Sequence, residues 1–343
     1  MSWTLGPIEF FPFGLGIAFF AIPAFIWMQR NMGKAGLKSG TDSILAIILV
    51  PLAFLFSRLG YCLFIIDEIL GLGEPELIFH VRDGGQLLFG AILGGLIAVW
   101  LTSRFTHQLF GKIVDTLIGP VCLMIVSGRI IGGLFVEHGL GLDLPSWFSP
   151  EESDFNYRMS LWALDNYSFF EHFPFAVKNY YDEWCWAIFM LEALYTVFIY
   201  FIVKKTQAYE GGKTAKFFLL YACGQVLWEA MLRGDVLHLP YLGFVRANQI
   251  LCAVVVFIVL FHCLHAIPKG ERAKPGMLAI LQVLGGILIV VAMEFAAFEK
   301  KITAIAWLPA DACHLIMACG CLWMYHAVLP LWKKKYALSE KVA

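Results

Sequence analysis

Long apolar runs alternate with short polar connections along the chain, and the runs share a length. A hydrocarbon core about 30 Å thick needs roughly 20 apolar residues per helix. About nine stretches meet that requirement, near 8–29, 43–66, 85–103, 113–135, 184–203, 215–232, 247–267, 276–297 and 308–331. The connections alternate in charge. Arg30, Lys34 and Lys38 follow the first run, and Arg104 and Lys112 follow the third. Lys204, Lys205, Lys213 and Lys216 follow the fifth, Lys269, Arg272 and Lys274 the seventh, and Lys333, Lys334, Lys335 and Lys341 close the chain. The other connections are acidic or mixed, with Asp67, Glu68, Glu74 and Glu76 in one and a long segment from Val136 to Glu183 in another. Basic loops stay cytoplasmic. The pattern therefore predicts an all-α polytopic membrane protein of about nine transmembrane helices, amino terminus outside and carboxyl terminus in the cytoplasm. Only Lys300 and Lys301 break the rule. Met1 to Pro7 lacks the basic region of a cleavable signal peptide, so the first helix is expected to insert and remain.

Composition agrees and removes the soluble alternative. The 343 residues are 60% hydrophobic and 15% charged, against about 45–50% and about 25% in soluble domains. A net charge of −1 says nothing about partners, and no basic tract calls for nucleic acid. The nine cysteines (62, 122, 185, 223, 252, 263, 313, 319 and 321) lie in or beside apolar runs without metal or redox spacing, and are expected to be small buried apolar residues. No metal or other cofactor is implied. Segment 136–183 is rich in aromatic and acidic residues, among them Trp147, Phe148, Glu151, Glu152, Trp162, Tyr167, Phe169, Phe170, Tyr180 and Tyr181. A loop of that length is usually functional, although its aromatics also suit an interfacial belt. No inverted repeat of the transporter kind is visible.

With orientation assigned, the charges inside the runs acquire depth. Arg58 lies late in the outward-running second run, and Arg82 and Asp83 stand at the outer mouth of the third. Arg129 and Glu137 end the fourth, Glu192 lies shortly inside the fifth, Glu229, Arg233 and Asp235 finish the sixth, and Arg246 with Gln249 opens the seventh. All fall in the outer half of the membrane. A charge at helix depth costs about 2.5–3.5 kcal/mol even on the lenient insertion scale, so charges gathered at one level point to a shared polar cavity. Its cations are arginines, whose planar fork of donors matches phosphate and carboxylate oxygens as lysine does not. Two readings follow: arginines and carboxylates neutralise each other and pin helices, or the arginines hold the phosphate of an anionic lipid head. Glycines 90, 94 and 95 give the third helix a smooth face, as do 128, 132 and 133 on the fourth, which suits close packing. Gly84-Gly85 is placed at a helix start, where free backbone N–H groups are able to receive an anion. Asp311 and His314, in the last run, are expected to pair with Glu294.

These pieces resemble, in order, the bacterial prolipoprotein diacylglyceryl transferases. LGPIEFFPFG (5–14) resembles the first-helix motif, SRLGY (57–61) the second, and RDGG (82–85) the opening of the third. Asp115 with GRIIGGLFVEHG (128–139) is similar to the family's signature region, and Glu229, LRGDVL (232–237) and FVRANQIL (244–251) to its sixth and seventh helices. The resemblance covers roughly 5–265. It implies a seven-helix core over 1–267, segment 136–183 included, with two additional helices and a basic cytoplasmic tail over 268–343. It also implies an enzyme of the bacterial inner membrane, facing the outer leaflet. That enzyme moves the diacylglyceryl group of phosphatidylglycerol to the lipobox cysteine thiol of a preprolipoprotein and releases glycerol 1-phosphate. By matching, Arg129 would hold the lipid phosphate, Glu137 would orient it, and Glu229, Arg233 and Arg246 would shape the same pocket. Taken with the depth of the charges, the candidate lipid-phosphate set is Arg58, Arg82, Asp83, Gly84, Gly85, Arg129, Glu229, Asp235, Arg246 and Gln249, and the candidate catalytic set Glu137, His138 and Arg233.

The chain departs from the family pattern at several positions. Phe89 stands where the family has a histidine, Gly132 for an asparagine, Gln225 for an arginine and Phe13 for a tyrosine. No motif of the His-Pro-Ser-Gln type precedes Glu192. A thiol of pKa about 8.5 needs a base or a positive environment to react quickly. With Phe89 in place the outer-side candidates for that base are His138, His80 and Glu229, of which His138 beside Glu137 is preferred. Two further readings keep the fold: a related transferase with a changed donor or acceptor, and a non-catalytic protein that binds or transports an anionic lipid.

Overall fold

The computed structural model describes residues 3–5, 8–72, 76, 78, 85–135, 139–141, 170–179, 182–232, 237–239, 242–297, 308 and 310–340. They form a helical membrane protein. Its helices are α1 (Pro12–Lys34), α2 (Thr41–Phe64), the short α3 (Ile66–Leu72), α4 (Leu88–Thr106), α5 (Phe110–Phe135), α6 (Ile188–Lys204), α7 (Gly212–Met231), α8 (Ala247–His265), α9 (Lys269–Ala297) and α10 (Ala310–Glu340). Among the described residues, seven helices are long and apolar enough to cross a membrane. They do not include α6, whose 17 residues make it the shortest of the long helices, or α7, which carries Lys213, Lys216, Gln225 and Glu229.

Each apolar run contains a helix, and the boundaries shift where local chemistry overrides hydropathy. The run at 184 opens as a strand, because Trp184–Trp186 (β4) pairs antiparallel with Ala176–Lys178 (β3); the helix waits until Ile188. Two more antiparallel ribbons occur, Trp3–Leu5 (β1) with Ile8–Phe10 (β2) and His238–Leu239 (β5) with Leu242–Arg246 (β6). The third helix begins at Leu88, not at 85. Gly85 has a φ of +74°, a left-handed conformation that breaks a helix, and the Leu87 N–H is drawn sideways to the Ser57 carbonyl at 3.1 Å. Gly85 therefore precedes the helix and is not in its first turn, and Gly84 lies outside the described residues. The last helix runs past 331 to Glu340.

Close packing uses the glycines directly. On α4, Gly90 and Gly94 lie one turn apart against the backbone carbonyls of Phe56 and Leu52 on α2, where an added Cβ would overlap oxygen. On α5, Gly133 accepts the ring of Phe189 in the same way. The largest apolar cluster joins α7 and α8 to α9 and α10, through Val226, Cys252, Val256, Val283, Val290, Cys321 and Met324. Eight of the nine cysteines are buried. Cys319 is the exception, exposed on the outside of α10, because only one side of that helix meets the bundle.

The two ends of the bundle are built differently. At the end where α7 begins, Asp115 of α5 caps that helix. Its carboxylate accepts the N–H groups of Gly211 and Thr214, both at 2.9 Å, and the Thr214 hydroxyl at 2.7 Å. Trp332 of α10 adds a bond from Nε1 to the Gly212 carbonyl at 3.0 Å. The ends of α5, α7 and α9 and the starts of α6 and α8 meet at the opposite end, and there the buried charges collect.

Candidate functional site

Two linked clusters of charge occupy that end. In the first, Arg129, in the last two turns of α5, meets Glu192, in the second turn of α6, with Nε 2.7 Å from Oε1. Tyr221 of α7 donates its hydroxyl to the same Oε1 at 3.0 Å, so one carboxylate oxygen gathers side chains from three helices. Glu192 and Tyr221 are each 1% exposed. Such a buried carboxylate persists as a charge only if paired and hydrogen-bonded, and this one has both an ion pair and a phenol.

The second cluster starts two turns further along α7. Tyr221, Gln225 and Glu229 lie at successive intervals of four residues, so they share one face of the helix. Asn248 donates Nδ2 to both oxygens of Glu229, at 3.1 and 3.2 Å. Arg246, the residue that precedes α8, donates Nη1 to the carbonyl oxygens of Glu229 and Leu232. Its Nε lies 3.2 Å from Oε1 of Glu294 on α9, and Gln249 Nε2 donates to Oε2 of the same carboxylate at 2.9 Å. The two clusters touch electrostatically through Glu229, which lies within reach of Arg129. The Arg129 side chain is 29% exposed and that of Arg246 10%. Arg129 is therefore the more exposed of these two guanidiniums.

Arg58, near the end of α2, occupies a third position. Its Nε donates to the Ile78 carbonyl at 3.0 Å and its Nη1 to the Gly85 carbonyl at 3.1 Å, and its guanidinium lies 5.7 Å from the Tyr61 ring centre. Gly85 approaches Tyr61 so closely that any side chain there would overlap the ring. At this glycine the described bond is made by the carbonyl to an arginine. Gly84, the other half of the anion cradle expected of Gly84-Gly85, lies outside the described residues.

Of the sequence-predicted site, the structure brings together Arg129, Glu229, Arg246 and Gln249, and places Arg58 and Gly85 against each other. His80, Arg82, Asp83, Gly84, Glu137, His138, Arg233 and Asp235 lie outside the described residues, as do most of the aromatics of 136–183. The described part of that segment includes Phe170, whose ring stacks edge-on to Phe175 and near Trp186 on the β3–β4 ribbon. Among the described residues, no group of three or more His, Cys, Asp or Glu side chains forms a metal site.

Four residues complete the clusters beyond the predicted set. Glu192 had been counted only as a possible neutraliser, and its proximity to Arg129 needs the third dimension. Tyr221 was legible as a polar ring on the Gln225–Glu229 face. Asn248 sits two places from Arg246. Glu294 meets Arg246 and Gln249; the side chain of Asp311, one of the partners expected for it, lies outside the described residues.

Comparison with known proteins follows the same order of helices. Residues 1–265 match the family model described as prolipoprotein diacylglyceryl transferase. The phosphatidylglycerol–prolipoprotein diacylglyceryl transferase of Oceanobacillus iheyensis is 22% identical over 266 residues, 76% of this chain and 85% of that one. The protein of that name from Lysinibacillus sphaericus is 24% identical over 279 residues, 81% and 94% of the two chains. That of Chromohalobacter salexigens reaches 32% over 137 residues, 40% and 50% of the two chains. The family match stops at the end of α8, so α9 and α10 lie beyond it.

Proposed function

The chain belongs to the prolipoprotein diacylglyceryl transferase family, and from that premise we propose that it carries out that transfer. The donor is phosphatidylglycerol and the acceptor the lipobox cysteine of a preprolipoprotein. The cysteine sulfur attacks the carbon of the diacylglyceryl moiety that bears the phosphate. A C–S bond forms as the C–O bond breaks, the thiol proton passes to a base, and glycerol 1-phosphate departs with the electron pair.

The observation that carries this reading is the Arg129–Glu192–Tyr221 cluster, set beside Glu229 at one end of the helices. A departing phosphate needs charge fixed in advance, because donors that do not reorganise stabilise developing charge best. Glu192 holds the guanidinium at Nε, and Tyr221 holds Glu192. Arg58, Arg82 and Arg233 are the further arginines proposed for the phosphate, with Glu137 orienting it and His138 taking the thiol proton.

The membrane arrangement is proposed with it: about nine spans, amino terminus outside, the site at the outer leaflet of the bacterial inner membrane. The alternation of basic loops supports that direction. All three β-ribbons fall in connections assigned to the outer side, and the Asp115 cap falls at the inner one. A core over 1–267 with an added pair over 268–343 agrees with the extent of the family match.

The test is direct. Purified protein in phosphatidylglycerol vesicles, given a lipobox peptide, is expected to yield a peptide heavier by one diacylglyceryl group in mass spectrometry. Arg129→Ala is expected to abolish the adduct. No adduct from the wild-type protein, with saturable lipid binding retained, would select a non-catalytic lipid-binding protein instead.

A further inference from the structure

The second cluster contains a residue that the family core does not supply. Glu294 sits in the last turn of α9, beyond the matched residues 1–265. Both of its oxygens are engaged, Oε1 by Arg246 and Oε2 by Gln249, at the two ends of the first turn of α8. A carboxylate at a helix amino terminus sits where the helix dipole favours negative charge. The position that a free anion would seek on α8 is thus filled by the protein's own side chain.

Arg246 passes the restraint onward. With Nε held by Glu294, its Nη1 clamps the carbonyls of Glu229 and Leu232, which end α7. From the same first turn of α8, Asn248 holds the Glu229 carboxylate. The added helices are also seated firmly enough to bear on this. Val283 and Val290 of α9 are buried in one cluster with Val226 of α7 and Cys252 and Val256 of α8.

We propose that Glu294 is a positioning residue of the transferase site: the added helical pair fixes Arg246 through it, and Arg246 fixes the end of α7 that carries Glu229. Arg246 and Gln249 then belong to the frame of the site, and the lipid phosphate falls to Arg129. The proposal rests on the transferase reading for its effect on rate, but its structural link is independent of that reading.

Two measurements on the full-length protein test it. The first is hydrogen exchange of backbone amides 226–232 in detergent, which needs no activity. Glu294→Gln keeps the shape but loses the charge, and is expected to speed exchange there while leaving the Asp115-capped start of α7 unchanged. The second is transfer from phosphatidylglycerol vesicles to a lipobox peptide. Glu294→Gln is expected to lower kcat per folded molecule roughly ten- to a hundredfold, the scale of a misplacement of about 1 Å, with KM for the lipid within about twofold. The melting temperature falls as well, because Arg246 loses its charge partner, so kcat is read below the transition. Glu294→Asp, which keeps the charge, is expected to recover part of kcat and serves if the glutamine variant does not fold. Combining Glu294→Gln with Arg246→Lys is expected to cost no more than Arg246→Lys alone.

Unchanged exchange at 226–232 would overturn the proposal, as would losses in kcat that add in the double variant or simply track melting. If the wild-type protein makes no adduct while exchange responds as stated, the transferase reading fails and the positioning link stands.

Discussion

Replacing Arg129 by Met and Glu192 by Leu together, and each residue alone by Ala, separates what the pair does for the fold from what it does for a ligand. Nε and Oε1 are 2.7 Å apart, which puts the charge centres near 4 Å, where unit charges at an effective dielectric of about 20 attract by about 4 kcal/mol. Desolvation of two buried ions offsets most of that gain, so the intact pair adds little net stability. Removing one partner is a different matter. Glu192→Ala leaves Arg129 uncompensated and the Tyr221 hydroxyl without its carboxylate acceptor; the first loss costs about 3–5 kcal/mol and the second about 1–3 kcal/mol, the two overlapping in part. The double change removes both charges and fills the space with apolar atoms, and is expected to stay within about 1 kcal/mol of wild type or exceed it.

The assay is reversible unfolding in mixed micelles, run beside the vesicle transfer assay. Glu192→Ala is expected to be the least stable of the set, with the double variant near wild type, while every variant lacking Arg129 makes no diacylglyceryl peptide. A stable Glu192→Ala protein would refute the energetic reasoning. A double variant that still transferred the lipid would refute the assignment of Arg129 to the phosphate.

Three other outcomes follow from the geometry. Asp115→Ala removes three hydrogen bonds at the start of α7 and is expected to cost about 1–2 kcal/mol in micelle unfolding, with kcat per folded molecule unchanged, because the cap lies at the end away from the site. Gly94→Val drives a side chain into the Leu52 carbonyl and is expected to lower the yield of folded protein sharply, measured by monodispersity in detergent, whereas Gly14→Ala, which meets nothing within 4 Å, leaves it unchanged. Phe89→His sets an imidazole against an apolar cluster and is expected to destabilise by about 1–3 kcal/mol without raising kcat; a rise in kcat would mean that this position retains the family's use of its histidine.

Much of the fold is legible because membrane insertion is written in local composition. Each apolar run contains a helix, and both the arginines and the glycines of the bundle stand in its sequence pattern. The exceptions arise where a neighbour decides. Trp184–Trp186 is apolar enough to be read as helix, but its pairing with Ala176–Lys178 turns it into a strand. Hydropathy cannot register the positive φ of Gly85, which delays α4. At the site, the type of charge and its depth were readable, yet the partners were not. Glu192 finds Arg129 across 63 positions of sequence, and Glu294 finds Arg246 across 48; only the packing of α5 on α6 and of α9 on α8 selects those pairs from the carboxylates available.

Phe89 and the added helices are connected by the same packing. The histidine that the family pattern has at this position would need a polar neighbour. In this chain the side chain at 89 packs against the cluster shared by α7, α8, α9 and α10. Two of those helices lie beyond the family match, and they contribute Val283, Val290, Cys321 and Met324 to the cluster. An imidazole half-buried there gives up hydrogen bonds to water on its packed side, whereas a phenyl ring gains dispersion contacts there. Helix α9 also supplies Glu294, the carboxylate that meets Arg246 and Gln249. The departure at Phe89 thus goes with an apolar setting, while the addition after residue 265 brings a new charge to the start of α8.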